Sequence, residues 1–258
     1  MSETDFKGQV VLISGGGTGI GRGMALAFAR ANAVVAVCGR RLERLQDVVN
    51  EIVAGGGKAV ALPGDVTVSA DCQRIVAETE LRLGALHILV NNAGIARMGS
   101  LPNTSDDDIH HMLATNLSGL MLLTKYAIPS LAKHAQSGGA SILNIASSVA
   151  NKPLRDFSVY SATKAAVVHF SRCLALDLAP QRIRVNCICP GVVETPIFAS
   201  MLPAAAVERA MDMYAKATPL GRVGQPQDIG RTAVFLTVPE AEWITGAVVT
   251  VDGGIGLT

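Results

Sequence analysis

The sequence lacks excess charge of either sign. Twenty-two Lys and Arg face 21 Asp and Glu, a formal net charge of +1, so there is no broad basic field and nucleic acid is excluded as an expected partner. Long hydrophobic runs are missing too: none reaches the roughly 18 residues of a membrane span. The opening stretch Met1-Ser2-Glu3-Thr4-Asp5 is short and acidic, unlike a secretory signal. Cysteine is scarce. Cys38, Cys72, Cys173, Cys187 and Cys189 are an odd number without a CxxC pair or a His-rich partner segment. Core packing is therefore expected of Cys187 and Cys189, which share one strand face, and neither a metal site nor a disulfide framework is expected. These absences fit a reducing, cytoplasmic location.

Charged residues make up 17% of the chain and aromatics 4%, against 49% hydrophobic residues and 26 glycines. That is the composition of a compact globular protein with tight βα turns and aliphatic packing of helices on a sheet. The 258 residues suffice for one large domain or two small ones. No linker-like segment or short internal repeat divides them, so a single domain over 1–258 is expected.

Strand signals alternate with helix signals along the whole chain. Gln9–Ser14 is an apolar run of the kind a strand covered on both faces requires. It ends in Gly15-Gly16-Gly17-Thr18-Gly19-Ile20-Gly21, and a helical segment follows to about Asn32. Strand, glycine turn and helix are the setting of a phosphate-cradling loop: glycines admit the pyrophosphate, and helix N-terminal N–H groups face its charge. Further strands are expected at Ala33–Cys38, Lys58–Leu62, Leu86–Val90, Ala140–Ala146, Ile183–Cys189 and Ala247–Val251. Helices are expected at Leu42–Ala54, Ser69–Leu83, from Thr104 past Asn116 to about His134, at Ser158–Ala179 and at Gln227–Leu236, with a less regular, methionine-rich insert at about 195–218. The pattern predicts an α/β fold: a Rossmann-like, doubly wound, seven-stranded and mainly parallel sheet with helices on both faces.

In such a sheet ligands bind outside the carboxyl ends of the strands. The glycine loop, Arg40, Asp65, Asn92, Ser147 and Pro190-Gly191 all fall there. An acid at the end of the second strand would bind the ribose 2′-hydroxyl of NAD; here Arg40 and Arg41 stand instead, and guanidinium forks suit the 2′-phosphate of NADP(H). Arg40 could also stack on adenine and Arg41 cap the helix beginning near Leu42. Asp65 could accept from the adenine amine or cap the helix from Ser69. Met201, Met211 and Met213 could form a pliable pocket or ordinary helix core. His110, His111, His134 and His169 show no ligand-like pattern and read as surface or interface residues.

Tyr160 and Lys164 lie four residues apart on one predicted helix face. Free tyrosine has a pKa near 10, and a fixed positive charge nearby brings a phenol closer to working range for proton transfer.

These residues recur in order as a set. The set is Ser14-Gly15-x-x-x-Gly19-Ile20-Gly21, Asp65-Val66, Asn91-Asn92-Ala93-Gly94, Asn116, Ser147, Tyr160-x-x-x-Lys164, Pro190-Gly191 and Thr195, with Pro219-Leu220-Gly221-Arg222 and Val251-Asp252-Gly253-Gly254 towards the C-terminus. From about Lys7 to Gly254 the chain resembles the short-chain dehydrogenase/reductase family, in its compact single-domain branch. Ser14 stands where threonine is usual, and Ala146 where serine is frequent.

The resemblance implies that Tyr160 exchanges a proton with the carbonyl or alcohol oxygen and that Ser147, thirteen residues earlier, holds that oxygen. Lys164 is implied to lower the tyrosine pKa and bind the nicotinamide ribose, and Asn116 to position a relay water. The cofactor contacts it implies are the loop Ser14, Gly15, Thr18, Gly19, Ile20 and Gly21; Asp65 and Val66 at adenine; Asn92, Ala93 and Gly94 near the adenosine ribose; and Pro190, Gly191, Val193 and Thr195 towards the carboxamide. Hydride would move at the B face of nicotinamide without a metal. The expected activity is NADP(H)-dependent oxidation or reduction between a ketone and a secondary alcohol, the substrate being a 3-oxoacyl thioester or a small carbonyl compound. The alternatives are an NAD(H)-preferring alcohol or polyol dehydrogenase and a non-catalytic dinucleotide-binding regulator. Pairing of the long helices from about Asp106 and Ser158 into a homotetramer, or a dimer, is implied as well.

Overall fold

Seven strands hydrogen-bond into one sheet: β1 (Val10–Ser14), β2 (Val34–Gly39), β3 (Lys58–Pro63), β4 (Ile88–Asn91), β5 (Ser141–Ile145), β6 (Arg184–Pro190) and β7 (Val248–Val251). The structure is a computed structural model that describes residues 5–135 and 140–258. Residues 1–4, most of the acidic opening stretch, lie outside it. The strand order is β3-β2-β1-β4-β5-β6-β7, and every pairing is parallel. The sheet expected to be mainly parallel is wholly so. From β1 the chain steps outward to β3, returns to lay β4 beside β1, and proceeds the other way. That reversal opens a crevice at the carboxyl ends of β1 and β4.

Alternation within each strand divides the core into two layers. Val11, Ile13, Val35 and Val37 point to one face, where Met24 and Phe28 of α1 (Gly19–Arg30), Leu45 of α2 (Leu42–Ala54) and Ile229 of α8 (Pro226–Thr237) cover them. Leu12, Ala36, Cys38 and Leu89 point to the other. There they meet Ile75 of α3 (Ser69–Leu83), Leu123 of α5 (Gly119–His134) and Leu174 of α6 (Ser158–Leu178). Both faces are dry, which is why these strands read as unbroken apolar runs.

The helix expected from Thr104 to His134 is built in three pieces. The Ser105 hydroxyl caps α4 (Asp106–Leu113) by accepting the Asp108 N–H at 3.1 Å. A π-turn at Ala114–Ser118 follows, and α5 continues from it. The insert expected to be less regular contains a 14-residue helix, α7 (Ala204–Ala217), after a short turn at Pro196–Ser200. Helix α7 buries no residue. It starts after Pro203 without a side-chain cap, so no N-cap residue marks its beginning in the sequence. Among the described residues no helix is long and apolar enough to cross a membrane.

Two polar groups hold the ends of this framework. Arg184 in β6 is 8% exposed, and its guanidinium donates to the carbonyl oxygens of Leu236 at 2.7 Å, Thr237 and Val238 at 3.0 Å, and Ile244 at 3.2 Å. A cation here satisfies carbonyls that the end of α8 leaves without helical partners. Arg184→Met keeps an apolar stem but strands those acceptors, and is expected to remove about 3 kcal/mol of unfolding free energy. An unchanged urea midpoint would show that the bonds add nothing.

His87, just before β4, accepts the Val10 N–H at Nδ1 over 3.0 Å, with the His134 ring 4.5 Å away between centroids. Burial first, and then His134, hold the His87 pKa below the usual 6.5. An acceptor facing a backbone N–H cannot be protonated without losing that bond, so the unfolded chain binds more protons in this window. The stability from this site is present above the unfolded value and is lost as pH falls through the depressed folded one. Between about pH 8 and pH 5 the wild-type urea midpoint is expected to fall more steeply than that of His87→Asn. Parallel curves would acquit His87.

Candidate active site

A cleft of about 820 Å³ runs along the carboxyl ends of the strands. Its floor begins at the glycine loop between β1 and α1, where Gly15 takes φ +63° and a Cβ on Gly21 would overlap the Gly15 carbonyl oxygen. Gly15, Thr18, Gly19, Ile20 and Gly21 line the cleft, with Gly17. Thr18 precedes α1 and makes no side-chain cap bond, so no side chain of the N-cap competes with an anion for the first-turn N–H groups. Ser14 lies beneath the loop. Its hydroxyl accepts from the N–H groups of Asn92 at 3.0 Å and Ala93 at 3.1 Å, while Asn92 Nδ2 donates to the Ser14 carbonyl at 2.9 Å and the Gly15 carbonyl at 3.2 Å. These bonds lock the ends of β1 and β4 together and place Asn92, Ala93 and Gly94 along the cleft.

At one end of the cleft stand Arg40, Arg41, Asp65 and Val66. Arg44, one turn into α2, joins them; it was visible in the sequence only as one more arginine after the pair. Arg40 Nη1 is 4.0 Å from Asp65 Oδ2. The other oxygen of Asp65 accepts from Thr67, at 2.9 Å from its N–H and 2.8 Å from its hydroxyl. Asp65 therefore folds its own turn. Val68 is the residue that precedes α3, without a side-chain bond, so the capping alternative for Asp65 does not hold. Arg41 likewise occupies the N-cap position of α2 without a side-chain cap bond.

The other end is built by β5, β6 and α6. Lys164 is 4% exposed, and its ammonium donates to the Ile145 carbonyl at 2.9 Å and lies 5.8 Å from the centre of the Tyr160 ring. Burial pushes its pKa down to about 8, against the opposing pull of the Cys187 and Cys189 thiols. Those thiols pack with Val167 and Ala146 in the core, as expected of them. Burial pushes the Tyr160 phenol up to about 12, opposed by the nearby Ser147 hydroxyl. Tyr160 is only partly buried and lines the cleft. Desolvation here outweighs the lowering expected from Lys164, whose charge faces the Ile145 carbonyl. Ser147 leaves β5 and also accepts the Val149 N–H at 3.4 Å.

Asn116 does not line the cleft; it braces it from within the π-turn. Its Oδ1 accepts the Ile95 N–H at 2.8 Å, and its Nδ2 donates to the Ile95 carbonyl at 2.9 Å and the Thr163 hydroxyl at 3.1 Å. Both amide protons are committed, tying the segment after β4 to α6 beside Lys164. A buried polar row below it, Thr124–Asn91–Asn144–Ser171, joins at 2.8–2.9 Å.

Pro190, Gly191, Val193 and Thr195 close the remaining wall. Gly191 leaves no room for a side chain, since a Cβ there would be 2.6 Å from Asp252 Cβ. A bridge between Val193 and Gly224 and a bond from the Gln225 amide to Glu194 at 2.8 Å hold the loop in place. Met201 and Met213 line the cleft. Met211 does not, and with no buried residue in α7 these methionines are not ordinary helix core. The bare backbone at the glycine loop, the open first turn of α1 and the arginines fit a dinucleotide.

Fold and site together define an oxidoreductase of the doubly wound, dinucleotide-binding class. A family model described as enoyl-(acyl carrier protein) reductase matches residues 15–256. The L-fucose dehydrogenase of Rattus norvegicus is 37% identical over 254 residues, covering 98% of this chain and 91% of that protein. The crystal structure of 3-ketoacyl-(acyl-carrier-protein) reductase from Brucella melitensis, complexed with NADH, superposes with a TM-score of 0.89 at 33% identity, over 97% of this chain and 99% of that one. A variant of actinorhodin polyketide ketoreductase with NADPH superposes with a TM-score of 0.90 at 32% identity, over 97% and 98%. The chain belongs to the short-chain dehydrogenase/reductase family, and it is an enzyme acting on an alcohol or carbonyl carbon with NAD(P).

Proposed function

We propose that this enzyme interconverts a secondary alcohol and a ketone with NADP(H). The observation that carries the reading is the convergence of Ser147, Tyr160 and Lys164 on one wall of the cleft that begins at the glycine loop, with the Lys164 ammonium 5.8 Å from the centre of the Tyr160 ring. The bound dinucleotide supplies or accepts hydride. Tyr160 gives a proton to the carbonyl oxygen as charge builds there, or takes one from the alcohol. Ser147 directs a second hydroxyl at the same oxygen, so that two donors stabilise the developing charge. Lys164 holds positive charge where the phenolate forms, and Asn116 keeps Lys164 and the segment after β4 in register. Asp65 and Val66 serve the adenine, Asn92, Ala93 and Gly94 the adenosine ribose, and Val193 and Thr195 the carboxamide. Arg40, Arg41 and Arg44 supply the preference for a 2′-phosphate. A sugar dehydrogenase and a 3-oxoacyl reductase among the similar proteins bracket the substrate between a polyhydroxylated ring and an acyl chain; the apolar Leu154, Phe157 and Phe198 on the cleft wall favour a less polar substrate than a sugar. A cytoplasmic homotetramer remains part of the reading.

The test is initial-rate kinetics with NADPH and NADH on a panel of cyclic ketones, aliphatic ketones and 3-oxoacyl thioesters, and of the matching alcohols in reverse. Turnover of at least one ketone with NADPH favoured is the expected result. Tight NADPH binding without turnover on any of them would overturn the substrate class.

A further inference from the structure

One wall of the cleft comes from the far end of the described chain, and a single side chain ties that wall down. Asp252 folds the segment: its carboxylate accepts from the N–H groups of Gly254 and Gly256, both at 2.9 Å. Gly253 and Gly254 turn at φ +64° and +89°. Packing holds the start of the segment, since a Cβ on Gly253 would lie 2.6 Å from Thr218 Cγ2, and the Leu220 N–H donates to the Gly253 carbonyl at 3.2 Å. Past Gly254 the backbone bonds are local, from the Ile255 N–H to the Asp252 carbonyl at 3.3 Å and from the Leu257 N–H to the Gly254 carbonyl at 3.0 Å. Leu257 is 92% exposed and anchors nothing. Among the described residues, the hydrogen bonds that reach 255–258 from elsewhere in the fold come from Lys152, in the segment that leaves Ser147. Its ammonium donates to the Ile255 carbonyl at 3.0 Å and to the main-chain oxygen of Thr258.

No Asp or Glu side chain among the described residues pairs with Lys152, so its charge is spent on these main-chain oxygens. Lys152, Ile255, Gly256 and Thr258 all line the same cleft as Ser147 and Tyr160. A lysine stem thus links the segment after Ser147 to residues 255–258 across part of the cleft lining. The cleft of about 820 Å³ must take dinucleotide and substrate together, so this link bears on which substrates enter.

We propose that Lys152 is a specificity-determining positioning residue: by latching residues 255–258 across the substrate side of the cleft it confines turnover to compact ketones and alcohols and disfavours a carbonyl borne on a bulky thioester. The inference rests on the alcohol/ketone reading of the site, and its first readout is independent of turnover. In hydrogen exchange on the dinucleotide-free protein, Lys152→Met is expected to speed amide exchange in a peptide covering 255–258 about tenfold. Lys152→Arg, which keeps a cationic donor, is expected to restore slow exchange, and peptides from α1 and β1 should not change in either variant.

The second readout compares cyclohexanone with the N-acetylcysteamine thioester of a long 3-oxoacyl chain. Lys152→Met is expected to raise KM for the compact ketone and to improve kcat/KM for the thioester relative to it by about tenfold. Lys152→Arg should restore the wild-type ratio. Unchanged exchange in Lys152→Met would overturn the latch. Equal losses on both substrates, with faster exchange, would overturn the specificity role and leave a general structural one. Wild-type inactivity on both would overturn the functional reading and the specificity claim with it, while the exchange result would still decide the latch.

Discussion

Replacing Tyr160 by Phe is expected to lower turnover about a thousandfold while NADPH affinity stays within about twofold, because only one oxygen is removed and the ring stays. The ring packs edge-on against Phe157 with centroids 6.1 Å apart, a contact that Phe preserves. The oxygen itself is costly to ionise where it sits, with burial pushing its pKa up to about 12. In the reductive direction that cost is useful: the phenol stays protonated across the neutral range and can donate as charge builds on the substrate oxygen. In the oxidative direction the same group must lose its proton, so alcohol oxidation should climb with pH where ketone reduction does not. Lys164 limits that climb. Its own pKa, pushed down to about 8, means that its charge begins to leave in the range where the phenolate is wanted. Single-turnover NADPH oxidation and a fluorescence titration of NADPH separate chemistry from binding. Retained turnover in Tyr160→Phe would make Ser147, or a water, the proton donor.

The legible parts of this site were those whose signal is local. A glycine loop between a strand and a helix declares itself because the backbone must bend and leave room at Gly15 and Gly21. The strands were readable because Val11, Leu12 and Ile13 are dry on alternate faces, and the ends of those strands then placed Arg40, Asp65, Asn92 and Ser147 in one crevice. Less was visible where a role depends on a distant partner. Asn116 could be matched to a motif, but the π-turn that aims it at Ile95 and Thr163 leaves no periodic trace. Helix α7 follows Pro203 with no side-chain cap, so no capping residue announced it. Arg44 and Lys152 are ordinary surface cations until the fold brings one to the glycine loop and the other to residues 255–258. Asp65 showed the opposite limit: adenine contact and helix cap were equally good local readings, and the Thr67 bonds and the position of Val68 bear only on the cap.

The proposed preference for NADP(H) turns on a charge that the structure leaves available. The side chain of Arg40 is 73% exposed and its ion pair with Asp65, at 4.0 Å, is longer than a direct hydrogen bond. An exposed pair of that length is weak and screened, so turning the guanidinium to a 2′-phosphate forfeits little. Arg44 is also paired only loosely, 3.7 Å from Asp47, and the end of β2, Cys38-Gly39, carries no acid to repel the phosphate. Arg40→Asp removes a charge-assisted bond and sets a carboxylate where the phosphate would lie, one that can instead accept from a 2′-hydroxyl. The ratio of kcat/KM for NADPH over NADH, measured with one ketone, is expected to fall about a hundredfold. Arg41→Ala, at the N-cap position of α2, should lower the ratio by less, since it removes a charge without adding a repulsive one. The two cofactors must respond differently for the argument to stand. If Arg40→Asp weakens both equally, Arg40 is stacking on the adenine that they share, and the phosphate is read elsewhere or not at all.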